Sequence, residues 1–205
     1  LIPAQDFWRQ KVATDATLAQ LVFDRKCTPE KMLAEIKSYT GRPYLKFRRP
    51  KGNLKEAQTN LQETWQKVCG QLKDLEKAFW AILPKLNGQT YKRNTFENVF
   101  TDLKTNAESN RLPRLNKQIL GKLNHFSIDT LNSKLKKEYK ADADAPEIIQ
   151  LQALANLGRD LQAMENSEEA AFICLQLDLL SYINQSIAEQ KKSRRERVFD
   201  DLLLD

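Results

Sequence analysis

Between Leu54 and Pro84 the apolar residues fall into a pattern that leaves little choice of fold. Leu61, Val68, Leu75 and Ile82 recur every seven residues, and Trp65, Leu72 and Phe79 recur every seven on the neighbouring row. The two rows alternate by four and three, which is the seam of a coiled coil. About 30 residues at ~1.5 Å each give a helical arm roughly 45 Å long. Such a helix cannot bury its stripe alone, so it requires a partner helix, expected to be antiparallel and to come from this same chain. The partner read from the sequence starts at Pro146. Leu151, Leu154, Leu157 and Leu161 make its first stripe, and Phe172, Leu175, Leu179, Tyr182, Ile183 and Ile187 carry the stripe onward. Between them, Glu165–Glu169 offers Asn166 or Ser167 as a cap followed by two glutamates, so a break or restart is expected there.

Shorter helices fill the rest. Phe7, Trp8 and Val12 lie at helical spacing between Ala4 and Ala13, and Leu18, Leu21 and Val22 mark a second helix. Thr28-Pro29-Glu30 opens a third, with a capping hydroxyl, a proline at the first position and an acid at the positive end of the dipole. Phe96, Val99, Phe100 and Leu103 mark another, and Ser127 caps one running through Leu131 and Leu135. "KADADAP" reads as a polar loop. Six glycines and seven prolines in 205 residues are too few for a fold of many short strands. The expected fold is therefore all-α: one helical domain over residues 1–205, with a long antiparallel helix pair and several short helices.

Chemistry is mostly missing. There is no phosphate-cradling G-x-x-x-x-G-K-[ST], no G-x-G-x-x-G and no G-x-S-x-G. His125, the one histidine, has an apolar neighbour in Phe126 and reads as an ordinary packed side chain. Asp200 and Asp201 are adjacent, so on a helix they point about 100° apart and do not form one two-carboxylate site. Cys27, Cys69 and Cys174 are too far apart for a zinc knuckle and odd in number, so they read as reduced thiols of a cytoplasmic protein. No stretch is long and apolar enough to span a bilayer.

Charge is the remaining signal. Lys plus Arg exceed Asp plus Glu by 33 to 27, a net charge of +6, and the excess is clustered. Gly41–Asn53 holds two prolines and two glycines, so it cannot be a regular helix and reads as an extended loop. From there into the start of the next helix, Arg42, Lys46, Arg48, Arg49, Lys51 and Lys55 occur without an intervening acid, and Tyr44 and Phe47 interleave with them. Bases of this kind neutralise phosphates and aromatics stack on nucleobases; the competing reading is a solvated loop whose aromatics tuck back onto the helices. A second cluster, Lys191, Lys192, Arg194, Arg195 and Arg197, sits where a helix dipole already favours positive charge.

The two ends carry a resemblance. "DFWRQ" (Asp6 to Gln10), "LAQLVFD" (Leu18 to Asp24) and "MLAEIKSY" (Met32 to Tyr39), followed by a proline-bearing loop and a long helix, resemble the RecB family, the beta subunits of exodeoxyribonuclease V. "FDDLL" (Phe199 to Leu203), after a long helix and a Lys/Arg-rich turn, resembles the segment of UvrD-like superfamily 1 helicases that leads back into the first motor domain. Order and spacing agree from Asp6 to about Asn106 and again from about Glu169; Ala107–Asn166 is not matched to the family. The family's members often carry a glycine in the basic turn, and Arg194–Val198 have none.

The resemblance implies that the chain is the accessory subdomain (1B) inserted in the first motor domain, cut from a longer polypeptide at both ends. The parent would unwind and degrade duplex DNA ends in recombinational repair, with ATP and magnesium as cofactors and RecC and RecD as partner subunits. Arg42, Lys46, Arg48, Arg49 and Lys51 are the residues expected to contact the DNA backbone. Phe199, Asp200, Asp201, Leu202 and Leu203 would form the junction with the motor. The segment itself would hold no cofactor, hydrolyse no ATP and cut no DNA. A self-contained helical scaffold or adaptor is the alternative from a different functional class.

Overall fold

The computed structural model describes residues 2–42, 44–109, 112–113 and 115–194. It is all-α: helices dominate, and the described residues form no sheet. They form two compact units. One combines the residues up to Leu54 with those from Asn166 onward; the other is Lys55–Glu165.

The second unit is built on the striped helix. Helix α4, Leu54–Ile82, buries Leu61, Val68, Leu75 and Ile82 to 2% exposure or less, with Trp65, Leu72 and Phe79 beside them. Facing it is the first part of α8 (Pro146–Arg194), which buries Ile148, Leu151, Leu154, Leu157 and Leu161. The pair is antiparallel. Thr64 donates its hydroxyl to Asp160 at 2.6 Å, while Asp74 and Lys77, further along α4, share a surface cleft with Glu147 and Gln150, near the start of α8. Between the two long helices the chain folds α5 (Arg93–Glu108), α6 (Lys117–Leu123) and α7 (Ile128–Lys134) onto the seam. Asn116 and Ser127 cap α6 and α7 as their side-chain chemistry dictates. A short antiparallel bridge, Asn87 N–H to the Lys134 carbonyl and Lys136 N–H to the Lys85 carbonyl, both 2.9 Å, ties the end of α4 to the end of α7.

Phe79 is the hub of this core. Its ring lies 4.9–6.4 Å from those of Trp80, Tyr91, Phe96, Phe100 and Phe126. The Tyr91 hydroxyl donates to the His125 carbonyl at 2.7 Å, and burial pushes the phenol's pKa up. His125 is half-buried and packed edge-on against Tyr91 and Phe96, an ordinary packed histidine as its neighbour Phe126 suggests. Burial holds its imidazole below the usual value, and the Lys122 and Lys134 charges add to the effect. The folded chain therefore binds fewer protons at His125 than the unfolded chain as pH drops below 6.5. The stability this contributes is complete above the unfolded value and is lost as pH falls through the window beneath it. Thermal melts between about pH 7 and pH 5 should thus show a shallower decline for His125→Gln than for the parent chain. Identical slopes would remove His125 from the pH response.

The first unit packs three short helices on the remainder of α8. These are α1 (Ile2–Phe7), α2 (Ala16–Asp24) and α3 (Pro29–Ile36). α1 continues into a wider π-helical turn, Trp8–Val12, which aims Val12 into the core alongside Phe7. Asp15 caps α2, and Thr28 caps α3 through the Lys31 amide, with Pro29 at the first turn. Phe172, Leu175, Leu179 and Ile183 are buried here; the Phe7 and Tyr182 rings lie 5.7 Å apart, and the Arg25 guanidinium sits 4.5 Å over Phe172 while bonding Glu169 at 2.9 Å.

Two sequence expectations change. The stripe from Leu151 to Ile187 reads in the sequence as one partner for α4, yet its second half serves the short helices α1–α3. The reason is register: with Thr64 opposite Asp160, equal rise brings α4 to its first residue as α8 reaches about residue 170. The break expected at Glu165–Glu169 is absent, and α8 is continuous there. No proline or glycine interrupts the run, so the polar residues that could have capped a new helix instead sit on its surface.

Candidate nucleic-acid interface

The described residues between Thr40 and Asn53 form no helix, as two prolines and two glycines require. The segment is nonetheless held along its length. The Gly41 N–H donates to Asn184 Oδ1 at 2.8 Å, in a left-handed turn (φ 74°) that suits glycine. Arg49 pairs with Asp178, the Cys174 thiol approaches the Pro50 carbonyl at 3.8 Å, and Gly52 lies so close to α8 that an added Cβ would meet the Ala170 Cβ at 2.9 Å. The helix partners fall from 184 to 170 as the segment rises from 41 to 52, so the segment runs antiparallel to α8.

Extended backbone sends alternate side chains to opposite faces. Leu45, Phe47 and Arg49 accordingly face α8, whereas Lys46 and Arg48 fall on the other face and are exposed. Arg42 and Lys51 are exposed towards the two ends of the segment. Among the described residues, Lys46, Arg48 and Lys51 have no carboxylate within ion-pair distance. Arg49 differs: its guanidinium hydrogen bonds to the Asp178 carboxylate, which raises its pKa further and holds the segment on the helix. The basic segment read from the sequence thus contains one positioning arginine and a set of uncommitted cations. The aromatics do not tuck fully away. Tyr44 is 57% exposed and Phe47 42%, and Phe47 stands edge-on to Tyr39 at 5.5 Å. Asp178 and Asn184 lie too far along the chain for any local signal in the sequence to point to them.

The other expected elements fall elsewhere. Phe199, Asp200, Asp201, Leu202 and Leu203, and Arg195 and Arg197 of the second basic cluster, lie outside the described residues. Lys192 is exposed at the end of α8 and Lys191 is half-buried. Among the described residues no three His, Cys, Asp or Glu side chains are grouped to hold a metal ion, and no helix is long and apolar enough to cross a membrane. The three cysteines are free and half-buried; desolvation pushes the Cys27 and Cys69 thiols up, away from the reactive thiolate form. What these features define is a helical protein presenting a fixed, extended, basic and aromatic segment. No family model, curated protein or solved structure matches the chain.

Proposed function

We propose that this chain is the DNA-contacting accessory subdomain of an ATP-dependent helicase-nuclease of the RecB kind, acting with RecC- and RecD-type partners on duplex ends in recombinational repair. The supporting observation is the segment Arg42–Lys51: exposed cations on a backbone anchored to a long helix, arranged to touch phosphates without reading sequence. Arg42, Lys46, Arg48 and Lys51 bind the DNA backbone, and Arg49 positions them through Asp178. ATP and magnesium act in the motor of the parent enzyme, to which the Phe199–Leu203 motif connects this region.

Fluorescence anisotropy with a random-sequence duplex tests the reading. Four released counterions give a slope of log K against log salt of about −3 to −4. Replacing Lys46, Arg48 and Lys51 by alanine should bring that slope close to −1 with no change in melting temperature. A salt-independent titration, or one that the triple variant leaves intact, would overturn the phosphate role and return the chain to the scaffold class.

A further inference from the structure

The inner face of the same segment borders an open cleft of about 230 Å³ against α8. Its apolar surfaces come from Leu45, Leu177 and Leu180, the Phe47 ring forms one side, and Ser181 and Asn184 supply polar groups. Arg42 and Arg49 also line it. This space is smaller than the ~300–1,000 Å³ of pockets for drug-sized ligands, so it suits one planar ring system better than a whole nucleotide cofactor. Asn184 is already oriented, because its Oδ1 accepts from the Gly41 amide at 2.8 Å. That leaves its side-chain NH₂ free to donate to a ring nitrogen or carbonyl, with the Ser181 hydroxyl able to donate or accept.

We propose that this cavity takes an unstacked nucleobase from a single strand, with Arg42 on that nucleotide's phosphate and Lys46 and Arg48 on its neighbours. The inference rests on the nucleic-acid reading above and narrows it from duplex contact to single-strand capture. In a duplex the bases are stacked and paired, and their faces cannot reach such a cavity; an unpaired strand presents them freely. The exposed rings point the same way. Tyr44, in the turn that the Leu45 amide closes on the Arg42 carbonyl, and Phe47 border the cations, where each can accept a base face irrespective of sequence. An acidic peptide would satisfy the cations but has no reason to seek two ring faces.

The test is competition anisotropy on the full chain with three unlabelled probes of equal length: an oligothymidylate, a duplex, and an abasic strand that keeps every phosphate and lacks the bases. The oligothymidylate should bind about tenfold more tightly than the abasic strand, and also more tightly than the duplex. Ser181→Trp, which fills the cavity from an exposed helix position, should abolish that preference while leaving the salt slope unchanged; Tyr44→Ala should reduce it. Equal binding of all three probes would overturn base capture and leave the phosphate reading standing. Binding of none would overturn both. An alternating Asp/Leu peptide that binds more tightly than the oligothymidylate would assign the cavity to a protein partner and overturn the inference.

Discussion

Replacing Phe79 by alanine is expected to destabilise the Lys55–Glu165 unit by about 3–5 kcal/mol, which is a large share of the stability of a unit this size. The ring is fully buried, and five other aromatic rings lie within contact range of it. Truncation forfeits the transfer energy of the ring and leaves a void. The surrounding rings, on α4, just before α5, on α5 and on the turn before α7, cannot all collapse into that void at once. Phe79→Leu keeps part of the volume and should cost clearly less. Urea unfolding followed by tryptophan fluorescence, to which Trp80 contributes from a ring 5.0 Å from Phe79, measures the difference. A loss below about 1 kcal/mol for the alanine variant would mean that Phe79 is not the hub of this core.

The second large effect concerns two glycines that helix propensity alone treats alike. Glycine inside a helix is about 1 kcal/mol worse than alanine, so Gly→Ala should ordinarily help. At Gly70, on α4, an added Cβ meets nothing within 4 Å, and Gly70→Ala is expected to stabilise by ~0.5–1 kcal/mol. At Gly158, on α8, the added Cβ would lie 2.9 Å from the Leu123 Cβ and 3.7 Å from the Leu123 carbonyl carbon. A Cβ atom cannot swing aside as the tip of a flexible side chain can, so α6 would have to shift. Gly158→Ala should therefore destabilise by ~1–3 kcal/mol, and Gly158→Leu should prevent the unit from folding. Thermal melts of the two alanine variants must move in opposite directions. Movement in the same direction would show that α6 and α8 do not approach as closely as described.

These two cases also mark where sequence reading succeeds and where it stops. The heptad stripe named Phe79 as buried because periodicity is a local property of one helix. Thr28 and Ser127 were legible for the same reason: a capping hydroxyl acts on an amide three residues away. Gly158 carried no such signal, since its meaning lies in Leu123, on a different helix. The end of the α4 pairing was hidden in the same way, because register between antiparallel helices is fixed by contacts such as Thr64 with Asp160. In the basic segment, composition showed the charge and the rings. The division of labour between Arg48 and Arg49 follows from an alternation that two-residue periodicity allows, but the partner that anchors Arg49 is Asp178, 129 residues away.

The tethering of Gly41–Gly52 along α8 has a consequence for recognition. Ordering a free backbone costs roughly 1–2 kcal/mol per residue, and a floppy basic loop would meet that cost on every encounter with its ligand. Here the cost is met once, during folding, by Asn184, Asp178 and the close seat of Gly52 on Ala170. On the function proposed above, weak individual contacts then sum into useful affinity, and the nucleic acid leaves and returns without the protein having to refold around it.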